Sequence, residues 1–270
     1  PPATFAEMGE YAKALQTDEV AGVALPIDCS LFEFNMVNIG KEIVDNGNGR
    51  TARATRAVFS ENGGGLEVFE AYNELYQTGA TSDFGSDSLQ AFMGQKTAMT
   101  ISSSSLISTV AKTVGENFEV GVAPMPLIDP QTDCGIPVGG GTLWLANKGE
   151  PEKERAAFEF LKYMIQPEPQ AEWHMATGYY AINQKAYELD SVKQFYEENP
   201  LFEVAVEQIM NSNTDAVGPV YATNMEARTK IQDHWRAVME QRETPEQAIS
   251  AAEAEVTQLI EQYNATNPLA

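Results

Sequence analysis

Residues 137–144 read Pro137-Val138-Gly139-Gly140-Gly141-Thr142-Leu143-Trp144. The glycines leave a length of backbone bare of side chains, and an apolar run, Thr142 to Ala146, follows directly. A helical pattern then begins. That order predicts a strand entered through backbone that a ligand or another chain segment can approach closely. The same residues also fit a flexible turn before an ordinary strand, because a glycine run is weak evidence alone. Trp144, inside the apolar run, is expected to pack in a core.

Working outward, Thr4-Phe5-Ala6-Glu7 is a capping box, and Phe5, Met8, Ala12 and Leu15 share one face of a helix to about Gln16. Val20 to Leu25 predicts a short buried strand. Asp28 to Asn35 leads into a helix, and Asn46-Gly47-Asn48-Gly49 is a turn. A second helix is expected over 61–77, with Leu66, Phe69, Tyr72 and Tyr76 as its stripe and Gly79 just past its end. A short helix over 86–93, a strand over 97–101, a serine turn at 102–105, a helix from Leu106 and a strand over 118–123 follow. After the glycine run, residues 151–165 read as a helix with Ala157, Phe158, Leu161 and Ile165 inward. Pro167 opens the next helix. Two or three short helices fill 184–210, and 224–242 is helical with Ile231, Trp235 and Val238 on one face. Thr244-Pro245-Glu246-Gln247 caps a final helix striped by Ile249, Ala252, Val256, Leu259 and Tyr263. Many helices with a few short strands interleaved make the class α/β.

The chain has 270 residues, 43% hydrophobic and 21% charged, enough for one large core or two smaller ones. It carries 39 acidic and 17 basic side chains, a formal charge of -22. Nucleic acid and anionic membrane surfaces are thereby excluded as partners, since both need clustered Lys and Arg. No apolar run reaches the length of a membrane span. Pro1-Pro2 reads as the start of a fragment or a processed product. Cys29 and Cys134 are the only thiols, and sequence does not show whether they meet. His174 and His234 stand apart from any zinc-type cluster and read as half-exposed helical side chains. No metal is expected.

Ser102-Ser103-Ser104-Ser105 lies where a strand ends and a helix starts. Hydroxyls and free N–H groups there hold a polar or anionic ligand, or simply cap the helix. Trp144, Tyr179, Tyr180 and Tyr221 lie beside glycine, loop or turn signals, where aromatic faces stack on sugar rings or pack in a core. Glu33, among aromatics, orients a hydroxyl or is a solvated helix carboxylate. The serines lack a G-x-S-x-G setting, and no carboxylate pair stands out among 39 acids.

The ordered elements Gly94-Gln95-Lys96-Thr97-Ala98-Met99-Thr100, Gly121-Val122-Ala123-Pro124-Met125-Pro126, Gly139-Gly140-Gly141-Thr142-Leu143-Trp144, Glu172-Trp173-His174 and Thr177-Gly178-Tyr179 resemble family 1 extracellular solute-binding proteins. Within that family they are most similar to its glycerol-3-phosphate-binding branch. The resemblance runs along essentially the whole chain. It implies a two-lobed, type II, maltose-binding-protein-like fold, here lacking most of the first lobe's N-terminal segment, on the order of 100 residues by domain size. Residues 1–137 and 191–270 are then the second, C-terminal lobe. Residues 138–190 are part of the first lobe, including the hinge crossing.

The implied activity is capture of a sugar, polyol or glycerol phosphate, not catalysis, and no cofactor is implied. The implied protein is a periplasmic or extracellular monomer, free or lipid-anchored, that delivers its ligand to the membrane subunits of an ABC importer. Ligand-contacting positions of the family fall on Ser103, Ser104, the backbone of Gly140 and Gly141, and Tyr179. Ser30, Glu33 and Tyr221 join them from the early and late loops. Two places depart from the family pattern. The early loop's tryptophans appear as Ile27 and Ser30, and a phosphate-facing Arg as Tyr221. That loss makes a neutral sugar or polyol a competitor of glycerol 3-phosphate. Arg228 is a substitute cation, though the helix pattern does not show it facing the cleft. The alternative from another class is a carbohydrate-active hydrolase with converging cleft carboxylates. A purely structural adaptor would have no enclosed polar cleft.

Overall fold

The computed structural model describes residues 1–82, 85–213 and 217–269. The chain divides into two compact units. The first contains Pro1–Ile101, Pro124–Pro137 and Asn211–Ala270, the second Ser102–Ala123 and Val138–Met210.

In the first unit, helix Phe5–Leu15 starts as its capping residues dictate. Thr4 Oγ1 accepts from the Glu7 N–H at 3.1 Å, and the Glu7 carboxylate reaches back to the Ala3 N–H at 2.7 Å. Its buried face sets Phe5, Met8 and Ala12 against the sheet. That sheet has three parallel strands in the order β2-β1-β3: β1 is Ala21–Ala24, β2 Thr81–Ser82 and β3 Thr97–Thr100. Ala24 lies opposite Ser82 on one side and Thr100 on the other, so β1 and β3 end side by side. Gly22 lets helix and sheet touch: a Cβ there would lie 2.1 Å from the Ala12 carbonyl oxygen.

Helices Cys29–Asn38, Gly64–Gln77, Asn224–Met239 and Pro245–Thr266 close the core around Trp235. The indole is fully buried, stacked on Phe69 with centroids 5.5 Å apart and met edge-on by Tyr72 at 4.6 Å. Asn35 pins Tyr72, donating to its hydroxyl at 3.1 Å. The Gly64–Gln77 helix begins later than the apolar period predicts, because Gly63 at φ +79° sets the chain direction ahead of it.

Asn46, Gly47, Asn48 and Gly49 all have positive φ, a left-handed turn that only such residues adopt readily. The Asn48 carbonyl accepts from the Val220 N–H at 2.9 Å, and the Asn48 side chain donates to the Val217 carbonyl at 3.3 Å. The early turn therefore fixes the late loop that carries Tyr221.

The second unit contains helices Ile107–Val114, Pro151–Met164, Pro167–Thr177, Asp190–Glu198 and Leu201–Met210. Its buried cluster is small: Ala171, Ala181, Ala186 and Val192, with Met175, Tyr187, Leu189 and Tyr196 packed on them. Three expectations fail here. Residues 118–123 and 142–146 are irregular, not strands. A strand needs a neighbour to satisfy its backbone groups, and no strand lies in this unit among the described residues. Trp144 is 88% exposed, outside any core. The Pro151–Met164 helix forms, but it buries no residue, and Phe158 and Ile165, expected inward, are exposed. The compact units also differ in extent from the lobes inferred from the resemblance: 102–123 and 191–210 pack with 138–190, while a crossing at 137/138 is common to both.

Candidate functional site

Ser30, Glu33 and Tyr221 lie in the first unit, and Ser103, Ser104 and Tyr179 in the second. In the first unit, β1 feeds through Pro26-Ile27 into Asp28, whose side chain caps helix Cys29–Asn38 by accepting from the Ser30 N–H at 2.8 Å. Ser30 Oγ donates to the same carboxylate. One turn on, Glu33 is 7% exposed and meets Arg228 of helix Asn224–Met239. Arg228 Nε donates to Glu33 Oε1 at 2.9 Å and Nη2 to Oε2, while Asn224 Nδ2 donates to Oε1 at 3.3 Å. Such a two-pronged, charge-assisted pair is the strong kind. The Glu33 hydrogen bond, followed by other local charges, holds the Arg228 guanidinium firmly protonated.

The Tyr221 hydroxyl is buried beside Asn224, near Glu33 and Arg228, without a well-formed hydrogen bond. Burial pushes its phenol well above the ordinary tyrosine range. Thr223 Oγ1 and Thr100 Oγ1, the latter at the end of β3, are also buried without partners. Buried polar atoms left unpaired are costly in a native fold, so such groups mark places for water or ligand. The carboxyl ends of parallel strands are where open α/β sheets bind ligands. Cys29, next to this cluster, is a free buried thiol raised by that burial, and Cys134 is also free.

In the second unit the serine turn meets the segment 178–180. Ser103 caps a single 3₁₀ turn, and its Oγ lies 3.0 Å from Ser105 Oγ. The capping role is therefore real, whatever else the turn does. Gly178 packs on the Ser104 backbone: a Cβ at Gly178 would lie 2.8 Å from the Ser104 carbonyl oxygen, and φ there is +79°. The Tyr180 hydroxyl is hydrogen-bonded to the Ser104 side chain. Tyr179 turns its ring outward, 45% exposed, while its carbonyl is held by His174 Nδ1 at 2.6 Å.

His174 is fully buried, contrary to its half-exposed expectation, because its ring is framed by Tyr187, Tyr196 and Phe202. Nδ1–H donates to the Tyr179 carbonyl, which leaves Nε2 to accept from the Tyr196 hydroxyl at 2.8 Å. Burial lowers its pKa from the ordinary 6.5. The neutral ring is thus the folded form, and it stabilises the fold fully above pH 6.5. That contribution falls as the pH drops below 6.5 toward the lowered folded value, where the unfolded chain takes the proton first. Thermal melts between pH 7.5 and 5 are expected to drop more steeply for the native protein than for His174→Gln; equal slopes would refute the assignment.

Gly140 and Gly141 join neither cluster. They lie exposed in irregular backbone, with open space where a Cβ would stand. The sequence reading passed over Asn224 and left Arg228 unplaced. The signal was present: 224, 228, 231, 235 and 238 share one helical face, so the Ile231–Trp235–Val238 stripe runs on into these two polar residues. Among the described residues no group of acidic, His and Cys side chains is arranged to hold a metal ion, and no helix is long and apolar enough to cross a membrane.

Comparison with known proteins adds three findings. The glycerol-3-phosphate-binding periplasmic protein UgpB of Yersinia pestis is 28% identical over 206 residues, covering 75% of this chain and 47% of that protein. UgpB of Escherichia coli O1:K1 is 27% identical over 179 residues, covering 66% and 41%. The chain thus spans about half the length of the curated relatives it matches. Among solved structures, the cyclic α-maltosyl-1,6-maltose-binding protein of Arthrobacter globiformis superposes with TM-score 0.79 at 18% identity, covering 97% of this chain and 65% of that one. UgpB of Mycobacterium tuberculosis in complex with glycerophosphocholine gives 0.77 at 18%, covering 98% and 65%. The fold is therefore the α/β, maltose-binding-protein-like one. The family model described as "Bacterial extracellular solute-binding protein" matches residues 1–204, and the chain belongs to that family.

Proposed function

We propose that this chain is part of a protein that captures a small carbohydrate-type solute (a sugar, a polyol or a glycerol phosphate) and delivers it to the membrane subunits of an ABC importer. The protein works in the periplasm or outside the cell, as a monomer that is free or lipid-anchored. Residues 138–190 belong to its first lobe, and residues 1–137 and 191–270 to its second. Each polar cluster is a ligand-contacting surface of its own unit. Ser30, Glu33 and Tyr221 serve on one, and Ser103, Ser104 and Tyr179 on the other. Gly140 and Gly141 are assigned backbone contacts by the family pattern.

The observation that carries this reading is the first cluster. It sets the buried Tyr221 hydroxyl near an ion pair, and the unit also buries unpartnered hydroxyls of Thr223 and of Thr100, the last residue of β3 in the parallel sheet. Such groups suit hydroxyl-rich ligands. A hydrolase is less well served there. Glu33 has both oxygens engaged by Arg228, so neither is free to meet a glycosidic oxygen.

The test is thermal stabilisation of the full-length protein against a panel of sugars, polyols and glycerol phosphates. A ligand at 100 times its Kd is expected to add roughly 2.7 kcal/mol. A panel without any shift would remove the capture reading, and release of product from a glycoside panel would replace it with the hydrolase.

A further inference from the structure

Arg228 is held in an unusual way for a cation that meets ligand. Nε and Nη2 both go to Glu33, so one of the two edges by which a guanidinium grips an anion in two-pronged fashion is already filled. Nη1 makes no hydrogen bond among the described residues, and the side chain keeps 32% of its surface exposed. What remains for a ligand is the Nη1/Nη2 end of the guanidinium, on a cation whose charge is already paired. The charge is cancelled as well. Glu33 neutralises the guanidinium, and Asp28, which caps the same helix, lies near enough to act on it too. Two carboxylates against one guanidinium leave this surface net negative. The long-range field of a chain at -22 adds to that. Beside the pair stand the neutral Asn224 amide and the Tyr221 hydroxyl, while Ser30 Oγ donates to Asp28.

We propose that Glu33 sets the charge selectivity of this surface: by holding Arg228 in a neutral pair, it admits uncharged hydroxyl-bearing groups and turns away phosphate. The proposal rests on the reading of this cluster as a ligand-contacting surface, and it separates the chain from relatives whose names specify glycerol 3-phosphate. Specificity here comes from a repulsive element as much as from attraction. A hydroxyl can accept from Nη1 and donate to a carboxylate oxygen. A phosphate dianion meets a cation whose charge is already paired and two negative neighbours.

The experiment is calorimetric titration of the full-length protein with maltose, maltotriose and glycerol on one arm and glycerol 3-phosphate on the other. The native protein is expected to bind at least one neutral ligand tenfold or more tighter than glycerol 3-phosphate. Glu33→Gln keeps the shape and one acceptor but unmasks the cation, and should raise glycerol 3-phosphate affinity at least tenfold relative to the neutral ligand. Asp28→Asn retains a good helix cap and leaves the ion pair untouched, so it guards against a misfolded Glu33 variant. It should move selectivity the same way by about two- to threefold. A residue with a purely structural role would weaken both arms equally, and that outcome overturns the proposal. So does a native protein that prefers glycerol 3-phosphate, although capture itself would then stand. Silence on both arms would instead take down the capture reading and this proposal with it.

Discussion

Trp235→Ala is expected to lower the unfolding free energy by about 3–5 kcal/mol, the range for truncating a fully buried large aromatic. The indole touches Phe32, Phe69 and Tyr72 and is entirely out of solvent. Those neighbours come from two separate helices, Cys29–Asn38 and Gly64–Gln77, so no single shift can refill the space. Trp235→Phe makes an informative partner. The indole Nε1 is buried with no hydrogen-bond partner, so replacing it forfeits no bond and leaves only the volume change. The phenylalanine variant should therefore recover more than half of the loss. Urea titrations followed by far-UV circular dichroism measure both. A Trp235→Ala midpoint within the equivalent of 1 kcal/mol of native, on the order of an ordinary surface change, would show that Trp235 does not organise the core.

Gly22→Ala is the second large effect. The added Cβ would meet the Ala12 oxygen at 2.1 Å and the Ala12 carbonyl carbon and Cα at 2.5 Å. All are backbone atoms, so no side chain can rotate away. Helix Phe5–Leu15 must lift from β1, taking Phe5 and Met8 partly out of the core. The cost should reach or exceed the upper end of the usual overpacking range, about 3 kcal/mol. Hydrogen exchange of helix Phe5–Leu15 should accelerate more than that of helix Pro245–Thr266. A variant as stable as the native protein would show that helix and strand separate freely at this point.

How much of this was legible in the residues depended on where each signal is stored. Helix existence was legible, because capping and periodicity are local. Thr4, Thr244 and the Ile249–Ala252–Val256 stripe all act as read. Strands at 118–123 and 142–146 were not, because a strand is a relation between segments. An apolar run such as Thr142 to Ala146 says what it would bury, not whether a partner lies beside it. The inward face expected for Pro151–Met164 fails for the same reason: its period is intact, and the surface it should meet is lacking in its unit among the described residues.

At the candidate site, the early and late residues could be named singly from the family pattern. Their pairing could not, since Glu33 and Arg228 are 195 positions apart. Only the shared helical face of Asn224, Arg228 and Ile231 hinted at it. Ser104 meeting Gly178 and Tyr180 was not legible either, since the family pattern named Ser104 and Tyr179 only as separate ligand-contacting positions. Trp144 illustrates the opposite error: an aromatic in an apolar run was assigned to a core, and it lies in solvent.

The composition of the larger unit has a consequence for how the molecule is made. Its core draws on Phe5 and Met8 at one end of the chain and on Val256 and Ile260 at the other. No portion of the polypeptide that stops short of helix Pro245–Thr266 can complete that core. Closing contacts over so long a separation is slow. Until helix Pro245–Thr266 has been made, the unit must stay open, with the apolar faces of its earlier helices uncovered.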